Sequence, residues 1–132
     1  MKVDAVKTLE KIKQLLHDSS DLKSRSVQFF DTNLTICYIA EITDNILLND
    51  TLINPILTFN FKQDDDILDM LKLNVLSTIE VQEFNSVKMA VDALLTGKAL
   101  ILVDNAAQIL GCDVEKITVR AITEPPTSVV IK

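Results

Sequence analysis

Carboxylates carry most of the chemistry this 132-residue chain has to offer. Asp64, Asp65 and Asp66 stand in a row before an apolar run, with Asp69 within one helical turn of them. Such a group invites a cation, yet acidic side chains are also what a helix start favours: they cap free N–H groups and complement the positive end of the dipole. A calcium loop further needs a glycine at its sharp turn and a closing glutamate, and the segment supplies neither. The capping reading is the stronger one. Asp104 directly follows the apolar run "ALILV" and Glu41 follows "ICYIA". Both are thereby expected at strand ends, where α/β proteins hold ligands in the crevice beyond the sheet. They are the candidate ligand-binding residues, although a turn or cap within "VDNAA" competes for Asp104.

Other chemistries lack their parts. Gly97 and Gly111 are the only glycines, so no phosphate-cradling loop of the dinucleotide or Walker type can form. A Ser-His or Cys-His nucleophile pair would have to recruit the one histidine, His17, which the helical reading below leaves away from the strand ends. One histidine and two cysteines do not make a structural zinc site. Neither a metal, a cofactor nor catalysis is expected. Cys37 sits inside an apolar run and Cys112 follows Gly111, which points to buried thiols in a reducing compartment rather than to a disulfide.

The elements that must position these residues follow from periodicity. Val3, Val6, Leu9, Ile12, Leu15 and Leu16 recur at helical spacing, which predicts an amphipathic helix over residues 3–17 with a solvent-facing His17 in its last turn. "DSSDLKSRS" ends that helix in a turn; "SVQFF" and "LTICYIA" on either side of "DTN" predict a hairpin. The second of these runs is apolar throughout and should be covered on both faces. From Thr43 the period changes to three and four, with Thr43 or Asp44 as N-cap and Asn54-Pro55 as a kink. "STIEVQEF" reads as a strand, and Ser86 to Leu95 as a capped helix with Val87, Ala90, Val91, Leu94 and Leu95 on one face. Gly97 closes that helix, and residues 99–103 form a buried strand. Strand, helix and strand in so short a span imply a crossover with parallel pairing. "AAQILGCD" reads as a short element with a turn at Gly111, and "EKITVRAI" as a last strand.

The expected fold is α/β: a mixed sheet with a central parallel β-α-β unit, a hairpin near the start, and helices on both faces. A single domain over residues 1–122 is expected, followed by an extended connector at 123–132, because Glu124-Pro125-Pro126 is stiff and leads into the strand-like "SVVIK". With 48% hydrophobic and 24% charged residues the chain can fill a core unaided. Its net charge of −6 and isoelectric point near 4.6 argue against nucleic acid and against an anionic membrane surface. No stretch reaches the roughly 18 apolar residues of a spanning helix, and the N-terminus lacks the apolar core of a signal peptide.

Four segments, taken in order, resemble the N-terminal soluble region of the A subunit of GerA-type spore germinant receptors. They are "SSDLKSRSV", "ICYIAEITD", "AVDALLTGKALILVDN" and "RAITEPPTSVVIK". In that family an aspartate-led segment ending in a basic residue precedes the first strand, as Asp21 and Arg25 do here. A strand then leads to an aspartate, matched by Tyr38, Ile39 and Asp44, and a helix ends as Leu94, Leu95, Thr96 and Gly97 do, followed by a strand and Asp104. The tail matches the family's arginine and Glu-Pro at Arg120, Glu124 and Pro125. Ser128 and Glu41 depart from the family pattern, and the Gly-Pro-Arg motif that follows in the family lies past the last residue.

The resemblance implies a module of a membrane complex of A, B and C subunits that converts a nutrient signal into germination. It places the complex in the spore inner membrane, with this domain on the cytosolic, spore-core side. The domain is expected to act in assembly and in relay of the signal to the membrane part; the alternative is direct binding of a small nutrient ligand near Asp104 and Glu41. If the tail sets the geometry of relay, Pro125→Gly in the full protein impairs germination while leaving the unfolding curve of this domain unchanged. A normal germination response removes that idea.

Overall fold

Strand β4, Lys98–Val103, has a sequence that only the middle of a sheet accommodates, because Ala99 through Val103 are all buried. Strand side chains alternate between faces, so this strand needs apolar cover on both. Ala99, Ile101 and Val103 enter one core, and Leu100 and Leu102 the other. The computed structural model, which describes residues 3–17, 19–30, 32–59, 67–72, 76 and 80–116, supplies that cover with helices on both faces.

Helix α1, Ala5–Leu15, and helix α5, Val87–Leu95, pack side by side on the Leu100 face. The Ile101 face is covered by a run of short helical pieces: α2, Asn45–Leu48; a π turn, Asn49–Ile53; α3, Asn54–Thr58; and α4, Ile67–Met70. Pro55 has no N–H to give to the preceding turn, and the backbone widens to the π form immediately before it. The expected kink at Asn54-Pro55 is thus a change of helix type. On this face Lys72 reaches across to the sheet, its Nζ donating to Glu83 Oε2 at 2.7 Å with Asp69 Oδ1 at 3.6 Å. The Glu83 carboxylate raises the lysine's pKa above its usual value.

The sheet runs β1-β2-β4-β5-β3, from Leu22–Phe29 and Thr32–Ile39 through β4 to Ile109–Asp113 and Val81–Phe84. Every pairing is antiparallel. The expected central parallel β-α-β pair is therefore not present. Strands β3 and β4 do point the same way, each being antiparallel to β5, but β5 lies between them. The crossover rule assumes adjacent strands; here the chain returns after β4 and fills the gap its own crossover left.

That returning strand is where the sequence misleads most. Gly111 reads as a turn residue, yet it lies mid-strand opposite Leu100 and Gln82. A Cβ at Gly111 would stand 2.5 Å from Phe84 Cε2, so the glycine is needed to let the Phe84 ring lie across β5. Gly97 serves a different end: at φ +108° it closes α5, its N–H donating to Leu94 C=O at 3.2 Å. Ser86 caps the other end of α5 by accepting from Met89 N–H, as expected.

Further differences have local causes. Strand β1 begins at Leu22, not at Ser26, so Arg25 lies within it opposite Ile36. "LKSRS" carries no apolar alternation because this edge of the sheet is exposed there. Leu95 is 53% exposed, since Val91 and Leu94 already occupy the buried side of α5 and the next position turns outward. The N-terminal helix spans Ala5–Leu15, and His17 follows it, exposed and left-handed at φ +56°. Cys37 and Cys112 are buried, unpaired and in different cores; burial raises both thiols to about 12. The aspartates 64–66, the strand expected after residue 116 and the whole connector, with Arg120, Glu124 and Pro125, lie outside the described residues.

Gly111→Ala should destabilise the domain by about 1–3 kcal/mol, the usual cost of forcing a methyl into a filled core. Urea unfolding measures it, and adding Phe84→Leu should recover a good part of the loss. An unchanged midpoint for the single variant would show that the ring moves aside freely.

Candidate functional site

Asp104 follows β4 in a tight turn in which Ala106 N–H donates to Val103 C=O at 3.1 Å and Asn105 takes a left-handed φ of +66°. Asn tolerates this conformation better than other non-glycine residues, which explains a turn without glycine at that point. The carboxylate is not left for a ligand alone. Its Oδ1 accepts the backbone N–H of Ala5 at 2.8 Å, across 99 residues of sequence. On either side, Val3 N–H donates to Ala106 C=O at 2.8 Å and Asn105 N–H to Val3 C=O at 2.7 Å. Four N–H groups at a helix start have no partner within the helix. Asp4 accepts from Lys7 N–H, and Asp104 takes the N–H of Ala5 from outside. The start of α1 is thus pinned to the β4–β5 turn.

Beside that turn lies an open cleft of about 290 Å³, lined by Gln28, Thr32, Asn33, Asp104 and Asn105. Gln28 and Asn33 face each other across the β1–β2 ladder, and Asp104 N–H points to Asn33 C=O at 3.5 Å. Three amides, a hydroxyl and a carboxylate can hydrogen-bond a small polar molecule. Gln28, Thr32 and Asn33 were not among the residues singled out from sequence; the one signal was the turn character of the segment around Asn33.

Glu41 does not join this group. It is exposed on a one-turn 3-10 helix, Ala40–Ile42, after β2. Because β2 and β4 are antiparallel, with Leu34 opposite Val103 and Cys37 opposite Leu100, the C-terminal ends of the two strands lie at opposite ends of the sheet. No shared crevice forms between Glu41 and Asp104. The motif residues have structural surroundings: Asp44 caps α2, accepting from Ile46 and Leu47 N–H, while its own N–H donates to Val114 C=O. Tyr38 is half-buried against the Ile101-face core. Asp21 holds the start of the hairpin, its C=O accepting from Ala40 N–H at 2.9 Å.

A second concavity has the opposite character. Lys11, Leu15, Asn85, Ser86, Val87 and Lys88 line an apolar groove of about 640 Å³ beside the start of α5. Leu15 is 49% exposed in it, and lysines are its only charged residues. Among the described residues no group of histidine, cysteine and carboxylate side chains is arranged to hold a metal, and no helix is long and apolar enough to cross a membrane.

The family model described as "Bacillus/Clostridium GerA spore germination protein" matches residues 10–132. The chain belongs to the GerA family. No curated protein matches it in sequence. Among solved structures it is similar to the N-terminal domain of the A subunit of the Bacillus megaterium spore germinant receptor GerK3, with a TM-score of 0.72 over 89% of the chain at 20% identity. At that identity the likeness establishes the fold. This GerA-family chain spans 49% of the length of that structure.

Removing the pin separates its structural part from any other. Asp104→Ala should cost roughly 1 kcal/mol, as loss of a helix cap does, and should speed hydrogen exchange at Ala5 while leaving the β4 and β5 amides slow. Asp104→Asn keeps an acceptor and should stay near the parent. Unchanged exchange at Ala5 in the alanine variant would mean that the turn does not hold the helix.

Proposed function

We propose that this chain is an assembly and signal-relay domain of a GerA-family receptor A subunit, working by surface contact and without catalysis of its own. The observation that carries the reading is the apolar groove beside α1 and α5. Its lining is mainly apolar with two lysines, and its Asn85 and Ser86 oxygens already accept from Gln108 and Met89, which suits a protein segment better than a nutrient. Ile46 and Leu95, 75% and 53% exposed, add apolar surface close to the end of the described chain. Ile46 stands three residues past Thr43, which bridges Glu115, and Leu95 two before Gly97, which packs on Glu115. Both elements thus meet at Glu115, next to the last described residue, Lys116.

In this reading the domain contacts sister A subunits or B- and C-type subunits of a complex at the spore inner membrane, from the core side. Hydrogen bonds between residues 3–5 and the β4–β5 turn hold α1 in place beside the groove. A second reading, direct binding of a nutrient, is favoured by the polar cleft at Gln28, Asn33 and Asp104. That cleft is the smaller of the two, and its carboxylate already serves Ala5.

Leu15→Asp tests the first reading, because a half-exposed position accepts a charge with little cost to folding. The expected result is a normal unfolding midpoint together with a several-fold loss of the A subunit from receptor complexes isolated from spores. Undiminished complexes would remove the groove from the account.

A further inference from the structure

We propose that the outer edge of β1 is a docking strand for an extended, acidic segment of another polypeptide of the receptor, a proposal that rests on the assembly reading above. Among the described residues, the eight-residue strand β1 has β2 as its only neighbour in the sheet. Ala40 N–H donates to Asp21 C=O, and the register that follows sets Leu22 opposite Ile39. In an antiparallel ladder bonded pairs alternate with non-bonded ones. Lys23, Arg25 and Val27 therefore exchange their bonds with β2, and the backbone groups of Ser24, Ser26 and Gln28 point away from the sheet. Lys23, Ser24, Arg25 and Ser26 are all exposed. As successive residues face opposite sides, neither helical layer covers the strand at this place. Among the described residues the ladder is open in its plane and bare above and below, which is what strand addition requires.

Charge selects the occupant. Lys23 and Arg25 share one face of β1, and the strand has no carboxylate, although the whole chain has 19 acidic residues against 13 basic. Pairing of β1 with its copy would crowd four cations onto one short ladder, and like charges across a pair are unfavourable. A strand carrying carboxylates two residues apart meets both cations on the same face instead. The partner is thus extended and acidic at alternate positions.

The test is hydrogen exchange on the full-length subunit, alone and in the assembled receptor. Docking predicts that the amides of Ser24, Ser26 and Gln28 slow by at least roughly tenfold on assembly, as newly bonded edge amides do. Ser26→Pro removes only an outward N–H, which an edge strand tolerates, and should abolish the slowing at Ser24 and Gln28. The double reversal Lys23→Glu, Arg25→Glu, which leaves the backbone intact, should abolish it as well. Slowing that survives the reversal, or that already occurs in the isolated subunit at high concentration, overturns the acidic partner. Slowing elsewhere on this domain but not at these three amides overturns the docking strand and leaves the assembly reading standing. No slowing anywhere on the domain overturns both.

Discussion

A strand buried on both faces is the constraint from which the rest of this structure follows. β4 presents Ala99, Ile101 and Val103 to one side and Leu100 and Leu102 to the other, and each side chain is stable only if apolar cover meets it. Fully burying one aliphatic side chain is worth about 1.5–3 kcal/mol, so leaving either face of β4 bare would cost a large part of a typical domain's net stability of about 5–15 kcal/mol. Two helical layers are needed, and β4 must sit inside the sheet. Strands β2 and β5 flank it, and the polar edge strand β1 is the consequence on one side: it sits beyond the reach of the layers in its middle and can carry Lys23, Ser24, Arg25 and Ser26.

The Asp104 pin joins this core to the N-terminus. Ile12 is buried against the Leu100 face, but a helix at the start of the chain can fray unless its first turn is held. Three hydrogen bonds between the β4–β5 turn and residues 3–5 do so. The same turn forms one wall of the polar cleft, while the far end of α1 forms a wall of the apolar groove. Helix α1 thus runs from the wall of one concavity to the wall of the other.

How much of this could be read from residues depended on whether the deciding interaction was local. The brackets of α5, Ser86 and Gly97, were legible because a cap and a left-handed closure are formed by the chain next to them. The double cover of β2 was legible from its unbroken apolar run. β5 was not, because the reason for Gly111 is the Phe84 ring on a neighbouring strand, and locally a glycine looks like a turn. The parallel pair failed for the same cause: once β5 is missed, β3 and β4 seem to be neighbours. Placing Asp104 and Glu41 in one crevice assumed strands that end together, and antiparallel pairing sends their ends apart. The partner of Asp104 is 99 residues away, so no window of sequence contains it.

We propose that this GerA-family domain works through its surface contacts rather than by holding a nutrient. An amide chemical-shift titration of the domain against amino acids, sugars and nucleosides tests it most directly. Silence is expected at Gln28, Thr32, Asn33, Asp104 and Asn105 across the panel. Saturable shifts clustered on those five residues would contradict it and make the polar cleft a sensor.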